Sequence, residues 1–158
     1  MMLPFFICCQ FMKLIPIQKN LEDNTLFADT RAGRETIIMT VDFYKRVGFA
    51  PPWIGYLVES AGQMVGSAGF KGKPVDGKIE IAYGTVEEFR NRGLGKQICK
   101  LLVDVAKQAD ATLLITARTL PENNFSTQIL RANCFAFAGT VNDPDDGDVW
   151  EWIYRGPQ

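Results

Sequence analysis

The stretch Ile79-Glu80-Ile81-Ala82-Tyr83-Gly84-Thr85-Val86-Glu87-Glu88-Phe89-Arg90-Asn91-Arg92-Gly93-Leu94-Gly95-Lys96 constrains this chain more than any other. Its first part alternates as a strand does, and from Leu94 the apolar residues recur at helical spacing. Between them lies a turn with two arginines, Arg90 and Arg92, and two glycines, Gly93 and Gly95. In such a strand-turn-helix junction successive backbone N–H groups face one concavity, and the helix N-terminus adds partial positive charge. The arginines supply full charges suited to phosphate. On physical grounds the junction is a pyrophosphate cradle.

Two common pyrophosphate-binding loops do not fit it. A Walker A loop requires glycine at the place of Arg90 and Ser or Thr at the place of Gln97. A dinucleotide fingerprint on Gly93 and Gly95 requires a third glycine where Ile98 stands, and an acidic residue closing the next strand, where the chain reads Thr116-Ala117-Arg118.

The whole chain narrows the field further. Its 158 residues, 47% apolar and 22% charged, suit one ordinary globular domain. The net charge of −1 gives no bulk reason to expect nucleic acid or an anionic membrane as partner. The chain contains no histidine, which excludes Ser-His and Cys-His mechanisms and leaves acid-base work to Glu, Asp, Tyr, Ser, Cys or water. Cys8, Cys9, Cys99 and Cys134 have no paired metal-binding spacing, so no metal site is expected; free thiols in a reducing cytoplasm are the simpler reading. Residues 1–11 begin with an apolar run too short to span a bilayer and without a basic n-region, and are expected to be a non-core extension to a domain over 12–158.

Periodicity predicts strands at Leu14–Ile17, Trp53–Glu59, Met64–Phe70, Lys78–Val86, Thr112–Thr116, Phe135–Val141 and Val149–Tyr154. Helices are predicted at Leu21–Thr30, Arg34–Val47, Leu94–Ala109 and Asn123–Ala132. A meander of strands followed by strand-helix-strand alternation makes a mixed α/β domain of three layers.

The pattern Arg-x-x-Gly-x-Gly after a strand written Glu-Ile-Ala-Tyr resembles the acetyl-CoA-binding motif of the GNAT superfamily (Gcn5-related N-acetyltransferases), with Arg90, Gly93 and Gly95 in the defining places. A second stretch, Glu122-Asn123-Asn124-Phe125-Ser126-Thr127-Gln128-Ile129-Leu130-Arg131-Ala132-Asn133-Cys134-Phe135, is similar to the family's Glu-Asn-x-x-Ser-x-x-x-Leu-x-x-x-Gly-Phe helix. Within the superfamily the chain looks closest to the branch of ribosomal-protein N-terminal acetyltransferases. The resemblance implies a mixed, mostly antiparallel sheet with one splayed parallel strand pair and flanking helices. It implies acetyl-CoA as co-substrate, and as acceptor a primary amine, on a small molecule or a protein N-terminus. Homodimerisation is a further expectation from the family.

The resemblance also implies a site. Backbone of Tyr83, Gly84, Thr85 and Val86 would bond the pantetheine arm; Arg90, Asn91, Arg92, Gly93, Leu94, Gly95 and Lys96 would hold the pyrophosphate; Asn123 would reach the cofactor from the far side.

An alkyl amine with a pKa near ~10 is only about 0.1% neutral at pH 7, so freeing it costs roughly 4 kcal/mol and a general base helps. Glu80 is the first candidate, on the strand face opposite Ile79 and Ile81, where an apolar surround would raise its pKa. Glu151 is the runner-up. Many family members protonate the leaving thiolate with a Tyr four residues after the serine at the place of Ser126; here that place holds Leu130. Ser126 is the candidate donor in its stead, with Tyr83 a lesser one that packing would also explain. The missing Tyr keeps open a second class, a CoA-binding module without turnover. Asp143, Asp145, Asp146 and Asp148 either draw a cationic amine or simply form a hairpin turn.

Overall fold

The computed structural model describes residues 11–157. The expected N-terminal extension, apart from Phe11, lies outside them. One seven-stranded sheet runs in the order β1-β2-β3-β4-β5-β7-β6, built from β1 (Lys13–Pro16), β2 (Gly55–Ser60), β3 (Gln63–Phe70), β4 (Lys78–Thr85), β5 (Leu114–Thr119), β6 (Phe135–Asp143) and β7 (Gly147–Tyr154). Among the described residues only β4 and β5 pair in parallel. Their crossover is helix α2 (Leu94–Ala109), packed on one face of the sheet with α3 (Phe125–Ala132), while α1 (Arg31–Val47) lies on the other. The expected three-layer mixed α/β arrangement with a single parallel pair is what the chain adopts. No described helix is long and apolar enough to cross a membrane.

The α2 face carries the main core. Ile79 and Ile81 of β4 and Ile115 and Ala117 of β5 are buried against Ile98, Leu102 and Ala106 of α2. Fully burying side chains of this kind stabilises by about 1.5–3 kcal/mol each. On the opposite face α1 approaches closely: a Cβ on Gly55 would lie 2.5 Å from Thr40 Cγ2. Tyr44 ties α1 to the sheet, its hydroxyl donating to the Ile17 carbonyl at 2.8 Å and accepting from the Gly55 N–H at 2.9 Å.

Three expected elements differ in ways that have local causes, and a fourth, β5, is displaced along the chain. Leu21–Thr30 is not an α-helix; a single 3-10 turn at Leu21–Asp23 is followed by irregular chain. The Asn24 side chain accepts from the Gln18 N–H at 2.7 Å and donates to the Asn20 carbonyl at 2.9 Å, competing with helical bonding, and Phe27 has φ 60°. Helix α1 starts three residues before the expected Arg34, because Thr30 caps it through a 3.1 Å bond from the Gly33 N–H. Helix α3 starts at Phe125 rather than Asn123, capped reciprocally by Asn124 and Thr127. Strand β5 begins two residues late and ends at Thr119 rather than Thr116. That last shift places Arg118 on the sheet.

Candidate active site

The parallel pair is held in register only from Lys78↔Leu114 to Ile81↔Ala117. Beyond it β4 runs on to Thr85 while β5 turns to pair with β7, so the two strands fork. Backbone direction in β4 alternates. The Glu80 carbonyl and the Val86 N–H both bond toward β3, to Lys71 and Val65, each at 2.9 Å. By that alternation Ala82 and Gly84 also turn their main chain to β3, and Tyr83 and Thr85 turn theirs into the fork. Of the four residues expected along the pantetheine arm, two therefore present backbone groups there. The Thr85 carbonyl already accepts from Arg90 Nε at 3.4 Å.

The fork leads into the basic turn. After a 3-10 turn at Glu87–Phe89 the chain passes through Asn91 at φ 66° and Gly93 at φ 73°, both left-handed, and enters α2. Helices α1 and α3 are capped by side chains, whereas Gly93 gives α2 none, so among the described residues the first-turn N–H groups of α2 have no side-chain acceptor. Arg90, Asn91, Arg92, Gly93 and Lys96 are exposed and Leu94 is half-buried; Arg92 stacks 5.4 Å from the Phe89 ring centroid. Gly95 differs from the rest. It is buried, and its Cβ would stand 2.7 Å from Ile129 Cδ1, so glycine there sets the approach of α2 to α3. These residues suit an extended ligand ending in a pyrophosphate: open main-chain groups in the fork, then uncapped helix N–H groups flanked by two guanidinium groups.

Beneath the fork, on the α1 face, four charged side chains converge. Arg118 Nη1 donates to Asp143 Oδ2 at 2.8 Å, and Arg118 Nε lies 3.4 Å from Glu80 Oε1 and 3.8 Å from Glu151 Oε2. Burial pushes the Glu80 carboxyl above its ordinary value; Arg118 and Lys71 pull it back, and Asp143 and Glu151 add to the rise. The Asp145 N–H, bonded to Asp143, and then the Arg118 guanidinium hold the Asp143 carboxyl below the usual range. The expected apolar surround of Glu80 is thus corrected to an ionic one, because Arg118, Glu151 and Asp143 reach the same face from β5, β7 and β6. Arg118 escaped the sequence reading, which ended β5 at Thr116; the alternation Thr116, Arg118 beside Glu80 was its only signal. Next to the cluster a cleft of about 560 Å³ is lined by Thr36, Met39, Phe43 and Arg46 of α1, by Ala82 and Gly84 of β4, and by Lys71 just after β3.

The remaining candidates lie apart. Tyr83 points to the α2 face, where burial raises its pKa and its hydroxyl meets the Cys99 thiol, itself pushed up by burial to about 12. Leu130, at the place of the family Tyr, is 1% exposed and belongs to the core. Ser126 is exposed on the first turn of α3, where Thr127 and not Ser126 makes the capping bonds. Asn123 accepts from Arg131 Nη1 and Nη2, each at 3.4 Å. Cys134 has φ 66°, which accounts for glycine being usual at that place.

A family model described as an acetyltransferase (GNAT) domain matches residues 10–135. Among solved structures, RimL, a ribosomal L7/L12 alpha-N-protein acetyltransferase in complex with coenzyme A, is similar at 16% identity, with 93% of this chain and 94% of that one covered and a TM-score of 0.66. An acetyltransferase from Salmonella typhimurium that modifies the N-terminal serine of ribosomal protein L7/L12 gives 16%, 92%, 94% and 0.64. The aminoglycoside acetyltransferase AAC(6')-Ib in complex with coenzyme A gives 18%, 90%, 94% and 0.65. At these identities the likeness is one of fold, and no curated protein is significantly similar in sequence. The family match covers most of the chain and includes both the fork and the basic turn: the chain belongs to the GNAT acetyltransferase family.

Proposed function

We propose that this protein transfers the acetyl group of acetyl-CoA to a primary amine, on a small molecule or a protein N-terminus, by direct attack. One observation carries the reading: the fork of β4 and β5 opens between the uncapped turn that precedes α2 and the carboxylates around Arg118. Acetyl-CoA supplies an acetyl thioester. Tyr83 and Thr85 hold its arm by main-chain bonds, and Arg90, Arg92 and the first-turn N–H groups of α2, up to Lys96, hold its phosphates. Asn123, tethered by Arg131, closes the far side.

Glu80 is the general base. An acceptor arrives as an ammonium, loses a proton to the Glu80 carboxylate directly or through a water, and its nitrogen lone pair forms the new C–N bond as the C–S bond breaks. The amide nitrogen sheds one further proton and the departing sulfur gains one, relayed through the exposed Ser126 hydroxyl, which donates to sulfur as it takes up the amide proton and so ends unchanged. The net products are acetylamide, CoA thiol and the one proton released from Glu80. The acidic surroundings, with Asp145, Asp146 and Asp148 exposed at the β6–β7 tip, favour a cationic acceptor. Such an acceptor agrees with the protein N-terminus and the aminoglycoside named for the similar structures.

Thiol release from acetyl-CoA across a panel of amines and free-N-terminus peptides tests the proposal. Acceptor-dependent release is expected. A second reading, a CoA-binding module without turnover, draws on the burial of Leu130 where the family Tyr would stand. Tight CoA binding with no release for any amine would establish that reading instead.

A further inference from the structure

Among the described residues Arg118 is the one cation within ion-pair distance of three carboxylates that arrive from three different strands. It occupies the first position of β5 after the last parallel pair, so its side chain leaves the sheet where the fork opens. Its contacts are unequal. Nη1 makes a hydrogen bond with Asp143, on the strand end that anchors the β6–β7 turn, while Nε is buried and makes none, facing Glu80 and Glu151 at longer range. A guanidinium fixed at one end by a short bond, with its other edge turned to two carboxylates, is an anchored positive charge. It orients those carboxylates without consuming their lone pairs, which stay available for a proton.

We propose that Arg118 is a positioning residue for the acetyl transfer: anchored by Asp143, it holds Glu80 at the fork of β4 and β5 and sets that carboxylate's charge state against Glu151. The inference rests on Glu80 acting as base. The groups facing Glu80 are Lys71 just after β3, Arg118 of β5, Asp143 of β6 and Glu151 of β7, with Asp42 and Arg46 of α1 lining the adjoining cleft. Removing the cation and removing the competing anion must therefore move Glu80 in opposite directions, and a residue that positions the base carries that shift into the acid limb of turnover, which a purely structural salt bridge does not.

The test is a titration of the full chain carrying glutamate labelled with 13C at the carboxyl, with the Glu80 resonance assigned by its loss in Glu80→Gln. Arg118→Gln is expected to raise the Glu80 midpoint by about one pH unit or more, Glu151→Gln to lower it, and Arg118→Lys to leave it near the native value. The acid limb of thiol release, with a serine-initiated peptide as acceptor, is expected to move with the midpoint. Should Arg118→Gln fail to fold, the Arg118→Lys and Glu151→Gln arms still decide. A Glu80 midpoint indifferent to every one of these substitutions overturns the proposal. If the midpoints shift as expected but Glu80→Gln retains full turnover, Arg118 does not serve catalysis and the base assignment fails, a result distinct from the first.

Discussion

Glu80 lies one residue before the last register pair of the parallel strands, Arg118 lies one residue after it, and the two side chains meet at 3.4 Å. The pair thus spans the point at which β4 and β5 part. A carboxylate there is half-buried and flanked by charges of both signs. In the proposed reaction its position decides how an incoming ammonium loses its proton.

Glu80→Gln is expected to lower kcat by about 10²–10⁴-fold and to leave CoA affinity within about twofold of native. The base works deprotonated, so activity rises with pH through the Glu80 pKa, and burial places that limb above the ordinary 4.5. For stability the sign is opposite. A carboxyl whose folded pKa is raised stabilises the fold while protonated, and that contribution is lost as pH rises through the folded pKa. Glu80→Gln should therefore keep or raise the melting temperature at pH 8 while activity falls. Steady-state kinetics from pH 5 to 9 beside thermal melts would show both effects, and an unchanged rate across that range would remove Glu80 as base.

The two glycines of the turn should fail differently. Gly93→Ala meets no atom within 4 Å but must hold φ 73°, at a cost of about 1–2 kcal/mol, and it disturbs the main chain proposed to hold the phosphates. Gly95→Ala keeps a helical backbone and instead drives a methyl against Ile129 Cδ1 at 2.7 Å, forcing α2 and α3 to adjust. Calorimetric CoA binding is expected to weaken more for Gly93→Ala per degree of melting temperature lost. Equal ratios for the two variants would contradict the division.

Much of this was legible because it is local. The bounds of α2 follow from the spacing of Leu94, Ile98, Leu101, Leu102 and Val105, and the basic turn from consecutive residues. The cluster at Arg118 was not legible, since it depends on the register of Glu80 against Thr116 and of Arg118 against Glu151, contacts of long sequence separation that no periodicity records. The failed helix at Leu21–Thr30 had the opposite origin. The expectation there carried no buried apolar stripe, and the local bonds of Asn24 and the left-handed Phe27 decide the backbone instead. Gly95 was read for a phosphate and is explained by its packing, a role visible only once Ile129 is placed beside it.

Arg90 and Arg92 should be separable from the chemistry. Each replaced by alanine is expected to raise the Kd for CoA by about tenfold or more, the scale of a lost charge-assisted hydrogen bond, with kcat at saturating acetyl-CoA nearly native. Raising salt should shrink the difference between variant and native, because exposed charges are screened over about 8 Å at physiological ionic strength. A large loss of kcat without a change in Kd would place these arginines elsewhere in the reaction.

Leu130 decides whether the family Tyr can simply be restored. The side chain is 1% exposed and packs in the core, and Ile129 beside it meets α2 at Gly95. Leu130→Ala would open a cavity and cost about 2–5 kcal/mol. Leu130→Tyr adds volume and a hydroxyl to the same place, with an overpacking cost of about 1–3 kcal/mol and a polar group to satisfy. The expected result is a lower melting temperature with no gain in turnover, because the fold around Leu130 is built for an aliphatic side chain. Melts and thiol-release rates of Leu130→Tyr would check this. A stable variant with kcat raised tenfold would instead show that the site lacks an acid and accepts one from α3.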